Sequence, residues 1–463
     1  MNVLFATAEF GPIARVGGLA EASAGLVGAL RADGVDVEVV LPDYFGTPLV
    51  DETSTDLLVP DWAGPARARS GIAHGLGEIT LIQTPGIARS DPYVDEDGNG
   101  WADNADRFFA FSAAVAALAS HPDRDVLHCN DWHTAAALGF TDDSPPTVLT
   151  IHTLGYQGWT SGGWLDRIPN RSELFASHGG TNPIAGGIQL ADIVVAVSPN
   201  YASEIRRPLT GCGLDQQLSD LGERLIGIRN GIDTALWNPV TDPHIAKGFG
   251  PTDLDGKAAS RADLAEAAGW DDSEVVPIVG IVSRLVEQKG IDLALDAARF
   301  AATTPFRLVI LGSGERWIAD HARAVVDRDP AHVWFHDGYD VELGHKIFAG
   351  SDLMLMPSKF EPCGLSQMQA MEYGTIPVVT AVGGLVDTVI DADADTVGGT
   401  GFMSPSVDSA GVVDALHRAV RAWKQPARRR SIQLQGMTKD WSWTEPASRY
   451  VDAYESAILL SRR

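Results

Sequence analysis

Cysteine is scarce in this sequence of 463 residues, which contains Cys129, Cys212 and Cys363 and no closely spaced pair among them. This count and spacing exclude a disulfide framework and a zinc site built from cysteines, and they are typical of proteins from a reducing compartment. The sequence also lacks H-E-x-x-H and similar metal-ligand spacings, so we predict no metal site. The expected location is the cytoplasm.

Basic residues are few as well, with 35 lysines and arginines against 61 aspartates and glutamates, and a formal net charge of -26. This excess of negative charge repels nucleic acid and anionic membranes, so we expect neither as a partner. A site for a phosphate group must therefore be built from a few local cations.

Long apolar runs are missing, because none approaches the ~20 residues of a membrane-spanning helix. The first ten residues have no basic segment and carry Glu9, so we predict that they are not a signal peptide. The absence of a G-x-S-x-G elbow leaves serine hydrolase chemistry without support.

The length suits two domains, and a hydrophobic fraction of 45% allows large cores. The first half opens with a predicted strand over Asn2–Ala8, a glycine-rich loop, a helix over Ala20–Asp33 and a strand over Val35–Leu41. This order is a βαβ unit. Residues 47–100 are predicted to be loop-rich, with a short strand near Ile79–Gln83, and Arg107–Ser120 is a predicted helix.

Polar side chains follow two further strands of the first half, at the point where each strand ends. The predicted strands are Asp125–Cys129, Thr147–Ile151 and Asp192–Val197. Asp131 and His133 follow the first of these, and His152 follows the second. Because carboxyl ends of parallel strands meet at one edge of a sheet, we expect a polar cluster at an active-site rim. The alternative is that each histidine is a packed rim residue.

A second alternating series fills the rest of the chain. Its predicted strands are Val275–Val282, Arg307–Leu311, His332–Phe335, Asp352–Met356 and Pro377–Thr380. Its predicted helices include Ser260–Ala268, Ile291–Ala302 and Leu365–Tyr373. We therefore predict an α/β fold of two doubly wound, Rossmann-like halves around a central cleft, with domains at 1–240 and 241–440. A last helix within 441–463 is expected to fold back onto the first half.

The loop Arg15-Val16-Gly17-Gly18-Leu19 is a candidate phosphate site, since glycines let the backbone approach a ligand and the helix that follows begins with free N–H groups. It matches neither the G-x-G-x-x-G nor the Walker pattern, so dinucleotide binding and kinase chemistry are weak interpretations. The alternative is a tight turn that needs positive φ at a glycine.

Two loops of the second half carry charges at strand ends. Ser283–Gly290 contains Arg284, which can grip a phosphate with two hydrogen bonds, and Lys289, a compact cation. Phe360–Gln367 places Glu361 before a helix, where a carboxylate suits sugar hydroxyls beside a phosphate. The alternatives are a solvated loop for the first segment, and an ordinary strand-to-helix turn with Glu361 as a solvated cap for the second.

Taken together, these segments resemble bacterial glycogen synthases and plant starch synthases, which are retaining glycosyltransferases of the GT-B fold. The motifs that carry the resemblance are ATAEFGPIARVGGLAE, CNDWHT, TIHTLGYQG, VSPNYASEI, GIRNGIDTALWNP, SRLVEQKG, LGSGE, KFEPCGLSQMQAMEYG, VGGLVDTV and the late WSW. Their order and spacing along the whole chain are far more specific than any single motif.

The resemblance implies that glucose moves from ADP-glucose to the 4-hydroxyl at the non-reducing end of an α-glucan, with no cofactor beyond the nucleotide-sugar substrate. By resemblance, the residues around the glucose are Glu361, Asp131, His152 and Asn230. Those that hold the diphosphate are Arg15, Gly18, Arg284, Lys289 and Ser366, with Gly17 in the same loop. Those that stack on the base or line the sugar-phosphate path are Tyr339, Cys363, Gly364 and Leu365. In a front-face mechanism the departing phosphate accepts the acceptor's proton, so no carboxylate pair is required.

The chain departs from the family pattern in its first half, where Arg15, Thr153 and Ala185 replace an expected lysine, asparagine and lysine. The segment 159–180 is also short and rich in glycine. Because the first half is expected to meet the acceptor, other interpretations stay open. These are a GT-B transferase with another nucleotide sugar or a small acceptor, a catalytically silent sugar-binding relative, and a sugar-nucleotide epimerase. The sequence does not predict an oligomeric state.

Overall fold

A computed structural model of the protein describes residues 1–96, 98–141, 145–271, 276–299 and 305–462. The chain forms two compact units. Unit 1 comprises Met1–Gly231 and Trp443–Arg463, and unit 2 comprises Ile232–Ser442. The chain therefore passes between units about ten residues before the predicted boundary at 240 and about two residues after the predicted boundary at 440.

Unit 1 is built on a nine-stranded sheet in the order β12-β11-β7-β6-β1-β2-β5-β4-β3. Its strands are β1 Asn2–Ala6, β2 Asp36–Pro42, β3 Val50–Leu57, β4 Ala66–Ala73, β5 Gly77–Gln83, β6 Val126–Asn130, β7 Thr147–Ile151, β11 Ile193–Ala196 and β12 Leu225–Gly227. A small separate sheet contains β8 Thr160–Ser161, β9 Ala176–Ser177 and β10 Gly180–Thr181. The strand that follows β1 in sequence, β2, lies on one side of β1 in the sheet, and β6 lies on its other side. The order in which strands are added to the sheet therefore changes direction at β1. Open α/β sheets bind ligands at such a switch point.

Helices cover both faces of the large sheet in unit 1. They are α1 Gly18–Ala32, α2 Asn104–Ala119, α3 Trp132–Ala135, α4 Pro183–Leu190, α5 Pro199–Glu204, α6 Asp215–Asp220 and, from the end of the chain, α15 Thr444–Ser461. Short 3-10 turns lie at Asp61–Ala63, Ala136–Gly139, Gly162–Arg167, Ser172–Phe175 and Gly222–Arg224. In α1, Ala22, Leu26 and Leu30 recur at helical spacing and are buried in one cluster with side chains of the sheet.

The prediction that residues 47–100 are loop-rich is wrong. This region contributes three strands, of which β3 and β4 pair antiparallel and extend the sheet beyond β5. β3 is an edge strand whose side chains are almost all exposed, and its sequence VDETSTDL has no apolar alternation. A strand that buries neither face leaves no period-two signal in the sequence, and its acidic side chains discourage pairing with other edges.

Unit 2 contains a six-stranded parallel sheet in the order β15-β14-β13-β16-β17-β18. Its strands are β13 Ile278–Val282, β14 Arg307–Gly312, β15 Val333–Asp337, β16 Leu353–Met356, β17 Ile376–Thr380 and β18 Phe402–Ser404. Its helices are α7 Asp255–Ala267, α8 Ile291–Ala298, α9 Arg316–Arg328, α10 Val341–Gly350, α11 Ser366–Glu372, α12 Gly383–Thr388, α13 Ser409–Trp423 and α14 Pro426–Met437, with a 3-10 turn at Glu287–Lys289. In order of appearance the strands read 3-2-1-4-5-6, and the switch point lies between β13 and β16. The predicted start of the first strand at Val275 and the predicted end of α8 at 300–302 lie outside the described residues.

Helix α15 packs on unit 1 through aromatic side chains. The indole of Trp443 lies against Gly25 of α1, where an added Cβ would come within 2.1 Å of Nε1. Deeper in the unit, the hydroxyl of Tyr454 lies 2.8 Å from Nδ1 of His128 on β6, and Nε2 of His128 lies 2.8 Å from Oγ1 of Thr150 on β7. Burial lowers the pKa of His128 to about 3, so the imidazole is neutral and can donate one of these bonds and accept the other.

Replacing Tyr454 by phenylalanine should lower the free energy of unfolding by about 1–3 kcal/mol, because it leaves Nδ1 of buried His128 without a partner. The measurement is urea denaturation followed by far-UV circular dichroism. Tyr156→Phe is the matched control, since Tyr156 is 60% exposed in the same unit. Equal stability of the two variants would contradict a role for the Tyr454–His128 bond.

Candidate active site

The loop after β1 is organised by Glu9, a buried carboxylate that the sequence analysis did not recognise as a site residue. Its Oε2 accepts hydrogen bonds of 2.8 Å from the backbone N–H groups of both Val16 and Gly17. Its Oε1 accepts a 2.8 Å bond from the hydroxyl of Tyr93. Two N–H groups that the sequence analysis assigned to a phosphate are therefore occupied by the protein's own carboxylate.

The two glycines of this loop have room beside them. An added Cβ at Gly17 or Gly18 would meet no atom within 4 Å, and φ at Gly17 is −148°. The alternative that these glycines serve a turn with positive φ is therefore wrong. Arg15 is 44% exposed and forms an ion pair with Glu21 on α1. This loop thus offers an accessible backbone and one exposed cation.

Asp131 occupies the end of β6 in a conformation that few residues other than glycine adopt, with φ 55° and ψ −173°. Such backbone strain costs on the order of 1–3 kcal/mol and collects at functional sites. The side chain is buried, and Oδ1 accepts hydrogen bonds from the backbone N–H groups of His152 at 2.8 Å and Thr153 at 3.4 Å. Burial raises the pKa of Asp131 to about 7, although the two backbone bonds act in the opposite direction.

His152 lies beside Asp131, as the sequence predicts for neighbouring strand ends. Its Nε2 is 2.9 Å from Oδ1 of Asn130, and Nδ2 of Asn130 donates a 3.0 Å bond to the carbonyl of Ala6. Because the amide hydrogens of Asn130 point toward Ala6, Nε2 of His152 carries the hydrogen in this pair. Burial lowers the pKa of His152 to about 3, so the ring is neutral and its Nδ1 is a hydrogen-bond acceptor.

His133 belongs to aromatic packing and not to the polar pair. Its ring lies 5.0 Å from that of Tyr93 and 4.2 Å from that of Trp132. Burial lowers its pKa to about 3, and its Nδ1 makes no hydrogen bond to any residue in the described ranges. For His133 the alternative of a packed rim histidine is therefore the correct one, whereas Asp131 and His152 form a cluster.

One of the family departures in unit 1 lies in this half-site. Thr153 follows His152, and Ala185 lies buried in the first turn of α4, where its N–H donates to the cap residue Asn182 at 3.1 Å. The segment 159–180 forms the three short strands of the small sheet and two 3-10 turns. Asn230, at the end of unit 1, is buried beyond β12.

The pH dependence of stability tests the environment of Asp131. Because its pKa in the folded state lies above the ordinary value of 3.8, the folded chain binds more protons between those two values. The contribution of this group to stability is therefore lost as the pH rises through about 7. Asp131→Asn keeps an Oδ1 acceptor but cannot ionise, so its stability relative to the wild type should rise by up to about 1.4 kcal/mol per pH unit between pH 5 and pH 7.

The measurement is the free energy of unfolding in urea at pH 5 and pH 8 for both proteins. Asp51→Asn is the control, because Asp51 has a similar φ of 54° but an exposed side chain. A stability difference between Asp131→Asn and wild type that is the same at both pH values would exclude a raised pKa at Asp131.

Unit 2 brings Lys289 and Glu361 together at its switch point. Nζ of Lys289, in the loop after β13, lies 2.6 Å from Oε2 of Glu361, in the loop after β16. The hydroxyl of Ser358 donates a 3.0 Å bond to the same oxygen. Glu361 is 5% exposed, so the alternative of a solvated cap is wrong. Lys289 is 22% exposed, so the pair is part-buried, and the buried carboxylate of Glu361 is the member that depends more on its partner.

The remaining predicted residues of unit 2 lie on the adjacent loops. The guanidinium of Arg284 is exposed and makes no hydrogen bond or ion pair with the residues that the structure describes. The ring of Tyr339 is 73% exposed beyond β15. Cys363 is buried, Gly364 has φ 73°, and helix α11 begins at Ser366 after Leu365. The structure therefore leaves Arg284 and Tyr339 open to a ligand.

Two glycines that the sequence analysis did not assign to the site support the Glu361 loop. Gly383 has φ 45°, and an added Cβ would come within 1.8 Å of the carbonyl oxygen of Glu361. Gly384 donates a 3.0 Å backbone bond to that same oxygen. Beneath the loop, Nε2 of Gln367 donates to the carbonyl oxygens of Cys363 at 3.2 Å and Gly364 at 3.0 Å. A glycine pair after a buried strand is the signal that could have pointed to this contact.

Gly383→Ala should lower the free energy of unfolding by roughly 2–4 kcal/mol, because the Cβ collides with the backbone of Glu361 and the residue is forced to keep a positive φ. The measurement is guanidinium denaturation. Gly344→Ala in α10 is the control, since its Cβ would meet only Leu311 at 3.8 Å. A loss of stability no greater than that of the control would show that the loop can move away without cost.

No group of three or more His, Cys, Asp or Glu side chains within the described ranges is arranged to hold a metal ion. Among the helices that the structure describes, none combines the length and apolarity needed to cross a membrane. The absence of a metal cofactor stays a prediction of the sequence.

Comparison with known proteins agrees with the motifs. The family model for the starch synthase catalytic domain matches residues 2–220, and the model for glycosyl transferases group 1 matches residues 268–433. A glycogen synthase from Alkalilimnicola ehrlichii is 40% identical over 477 residues, covering 98% of this chain and 99% of that protein. A glycogen synthase from Halorhodospira halophila is 40% identical over 479 residues, with 99% of each chain covered.

Solved structures show the same relationship. The catalytic domain of starch synthase IV from Arabidopsis thaliana, bound to ADP and acarbose, is similar with a TM-score of 0.88 and 33% identity over 99% of both chains. Sucrose-phosphate synthase from Thermosynechococcus elongatus, at 19% identity and a TM-score of 0.64, shares the fold. These similarities confirm the predicted α/β fold of the GT-B class and the predicted enzyme class. The chain belongs to the glycogen synthase and starch synthase family of glycosyltransferases.

Proposed function

We propose that this protein transfers glucose from ADP-glucose to the 4-hydroxyl at the non-reducing end of an α-1,4-glucan, with retention of the anomeric configuration. The observation that carries the proposal is the buried Glu361 carboxylate paired with Lys289 at the switch point of unit 2. A carboxylate that accepts sugar hydroxyls beside a cation that attracts phosphate is the recognition that a nucleotide sugar requires. Relatives named glycogen synthase and a starch synthase bound to ADP and acarbose support this substrate pair.

On the donor side, we assign the diphosphate to Arg284 and Lys289, with Arg15 and the backbone N–H of Gly18 contributing from unit 1. Gly17, whose N–H is bound to Glu9, contributes by leaving room for the ligand beside its backbone. Negative charge develops on the leaving diphosphate as the bond to the anomeric carbon breaks. Cations placed beforehand stabilise that charge more in the transition state than in the ground state. Arg284 suits this task because its guanidinium is exposed and makes no contact that would have to be broken with the described residues.

The other donor contacts are assigned from the loop geometry and the family relationship. Tyr339 is the proposed stacking partner of the base, because its ring is 73% exposed. The path of the sugar phosphate is assigned to Cys363, Gly364 and Leu365, and Ser366 is assigned to the diphosphate.

On the sugar side, we assign the glucose to Glu361, Asp131, His152 and Asn230. Neutral His152 offers Nδ1 as an acceptor for a hydroxyl hydrogen, because its Nε2 donates to Asn130. In the proposed front-face reaction, the bond from the anomeric carbon to the phosphate oxygen breaks and a bond to the acceptor's 4-oxygen forms on the same face. The hydroxyl proton passes to the departing phosphate, so the step balances without a catalytic base from the protein.

A second candidate is a GT-B transferase that uses another nucleotide sugar or a small acceptor. The observation in its favour is that Thr153, which replaces a family residue, lies in the unit 1 half-site, where its backbone N–H donates to Asp131. A catalytically silent relative is disfavoured, because Lys289, Glu361, Asp131 and His152 keep ordered contacts. A cytoplasmic location and the absence of nucleic-acid partners stay predictions of the sequence.

Glu361→Gln should lower kcat/KM for glucose transfer at least about a hundredfold, because the amide neither pairs with Lys289 nor accepts two hydroxyls as a carboxylate does. The assay follows nucleotide release and glucan growth with ADP-glucose or UDP-glucose, each with and without glycogen. Glu287→Gln is the control, since the side chain of Glu287 is exposed and, among the described residues, pairs with that of Lys359 at 3.3 Å.

The proposal fails if wild-type protein releases no nucleotide with either donor, or if Glu361→Gln matches the control. Nucleotide release that depends on a small sugar and not on glycogen would favour the second candidate.

A further inference from the structure

Trp159 is a large aromatic side chain on the surface of unit 1 that the proposed chemistry does not use. It directly precedes β8 of the small sheet and is 58% exposed. Its indole Nε1 donates a 3.2 Å hydrogen bond to the carbonyl of Ser177 on β9. The ring also rests on Gly180 of β10, where an added Cβ would come within 2.6 Å of Cζ2. An exposed indole is therefore fixed in one orientation, although more than half of its surface faces solvent.

The loop that carries Trp159 is joined to the half-site of unit 1. The preceding residue, Gly158, has φ 69°, and an added Cβ there would come within 2.2 Å of Cε3 of Trp132. Trp132 in turn follows Asp131, whose carboxylate binds the backbone of His152. Trp159 is thus linked to Asp131 through two residues, its chain neighbour Gly158 and Trp132.

Hydrogen bonds of the Gln157 side chain fix the conformation of the loop that carries Trp159. Its Nε2 donates to the carbonyls of Leu154 at 3.2 Å and Cys212 at 3.0 Å, and its Oε1 accepts a 2.6 Å bond from Asn182. A ligand that binds Trp159 therefore need not order the loop first, which reduces the entropic cost of binding.

The chemistry of this surface selects an uncharged ligand with a flat apolar face. A net charge of -26 disfavours anions over the whole protein. A pyranose ring presents such a face of C–H bonds, and an indole offers a large, rigid apolar surface with a polar N–H at its edge. Tyr156, three residues earlier and 60% exposed, adds a second aromatic side chain to the same loop.

We propose that Trp159 is a stacking platform for the glucan chain of the acceptor, binding a glucose unit remote from the one that reacts. This inference deepens the proposed function and rests on it, because it assigns a subsite to the acceptor chain. Trp159 does not touch the reacting atoms, so its contribution lies in acceptor affinity and in the preference for long over short chains.

The test compares Trp159→Phe with Trp159→Leu. Both lose the bond to Ser177 and keep apolar bulk against Gly180, but only phenylalanine keeps a flat ring. Affinity for glycogen, measured without donor by retardation in native gels that contain glycogen, should fall about tenfold in the leucine variant and much less in the phenylalanine variant. The KM for glycogen should rise in parallel, whereas kcat, the KM for ADP-glucose and the KM for maltotriose should stay unchanged.

Trp317→Leu is the matched control. Trp317 is 49% exposed on α9 of unit 2, and its Nε1 likewise bonds within the protein, to Glu315 at 2.6 Å. Its removal should not change glycogen retardation, and thermal denaturation of all variants checks that each is folded.

The inference is overturned if Trp159→Leu is retarded as strongly as the wild type, or if Trp159→Phe loses as much affinity as Trp159→Leu. Either result leaves the proposed function standing as long as the wild type elongates glycogen. Absence of any transfer by the wild type would instead sink the proposed function, whatever the gels show.

Discussion

The part-buried ion pair between Lys289 and Glu361 is the constraint on which the organisation of unit 2 depends. A carboxylate at 5% exposure requires a cation and hydrogen-bond donors, and Lys289 and Ser358 supply them from separate loops. The loop of Glu361 can reach this position only because Gly383 and Gly384 leave its backbone room. The parallel sheet brings these four contributions together, since the loops after β13, β16 and β17 leave the same edge.

In unit 1, the buried carboxylates of Glu9 and Asp131 are stabilised by backbone N–H groups and not by side-chain cations. Glu9 accepts from the N–H groups of Val16 and Gly17, and Asp131 accepts from those of His152 and Thr153. In a chain with so few basic residues, amide dipoles stabilise buried carboxylates without drawing on lysine or arginine. Arg284 of unit 2 stays exposed, and Arg15 of unit 1 is 44% exposed although it pairs with Glu21.

The polar residues of unit 1 also depend on the end of the chain. Tyr454 of α15 bonds to His128 on β6, three residues before Asp131, and His128 bonds to Thr150 on β7, two residues before His152. Strand ends that carry strained or buried polar groups need rigid neighbours, because strain persists only where the surroundings fix the backbone. The packing of α15 supplies that rigidity from a segment more than 290 residues away in sequence.

In unit 2, the buried side chain of Lys257 holds the segments around the Glu361 loop together. Nζ of Lys257 on α7 lies 2.7–3.0 Å from four acceptors, the carbonyls of Ala349, Ser351 and Tyr373 and the hydroxyl of Thr375, among which its three hydrogens are shared. Burial lowers the pKa of Lys257 to about 7. These bonds join the ends of α10 and α11 to the start of β17, and α11 begins at the loop of Glu361.

The sequence by itself determined the alternation of strands and helices, because buried parallel strands are apolar throughout and carry the strongest pattern. It also placed Asp131 and His152 at strand ends of the first half, and Lys289 and Glu361 at strand ends of the second half, which implies one shared edge within each sheet. Tertiary structure decided what the pattern does not encode. The exposed edge strand β3 lacks apolar periodicity. The partners of Glu9 and the packing of His133 among aromatic rings depend on burial. The contact of Gly383 with Glu361 joins two separate loops. Hydrophobic periodicity is a local property, whereas the environment of a buried charge is set by every segment packed around it.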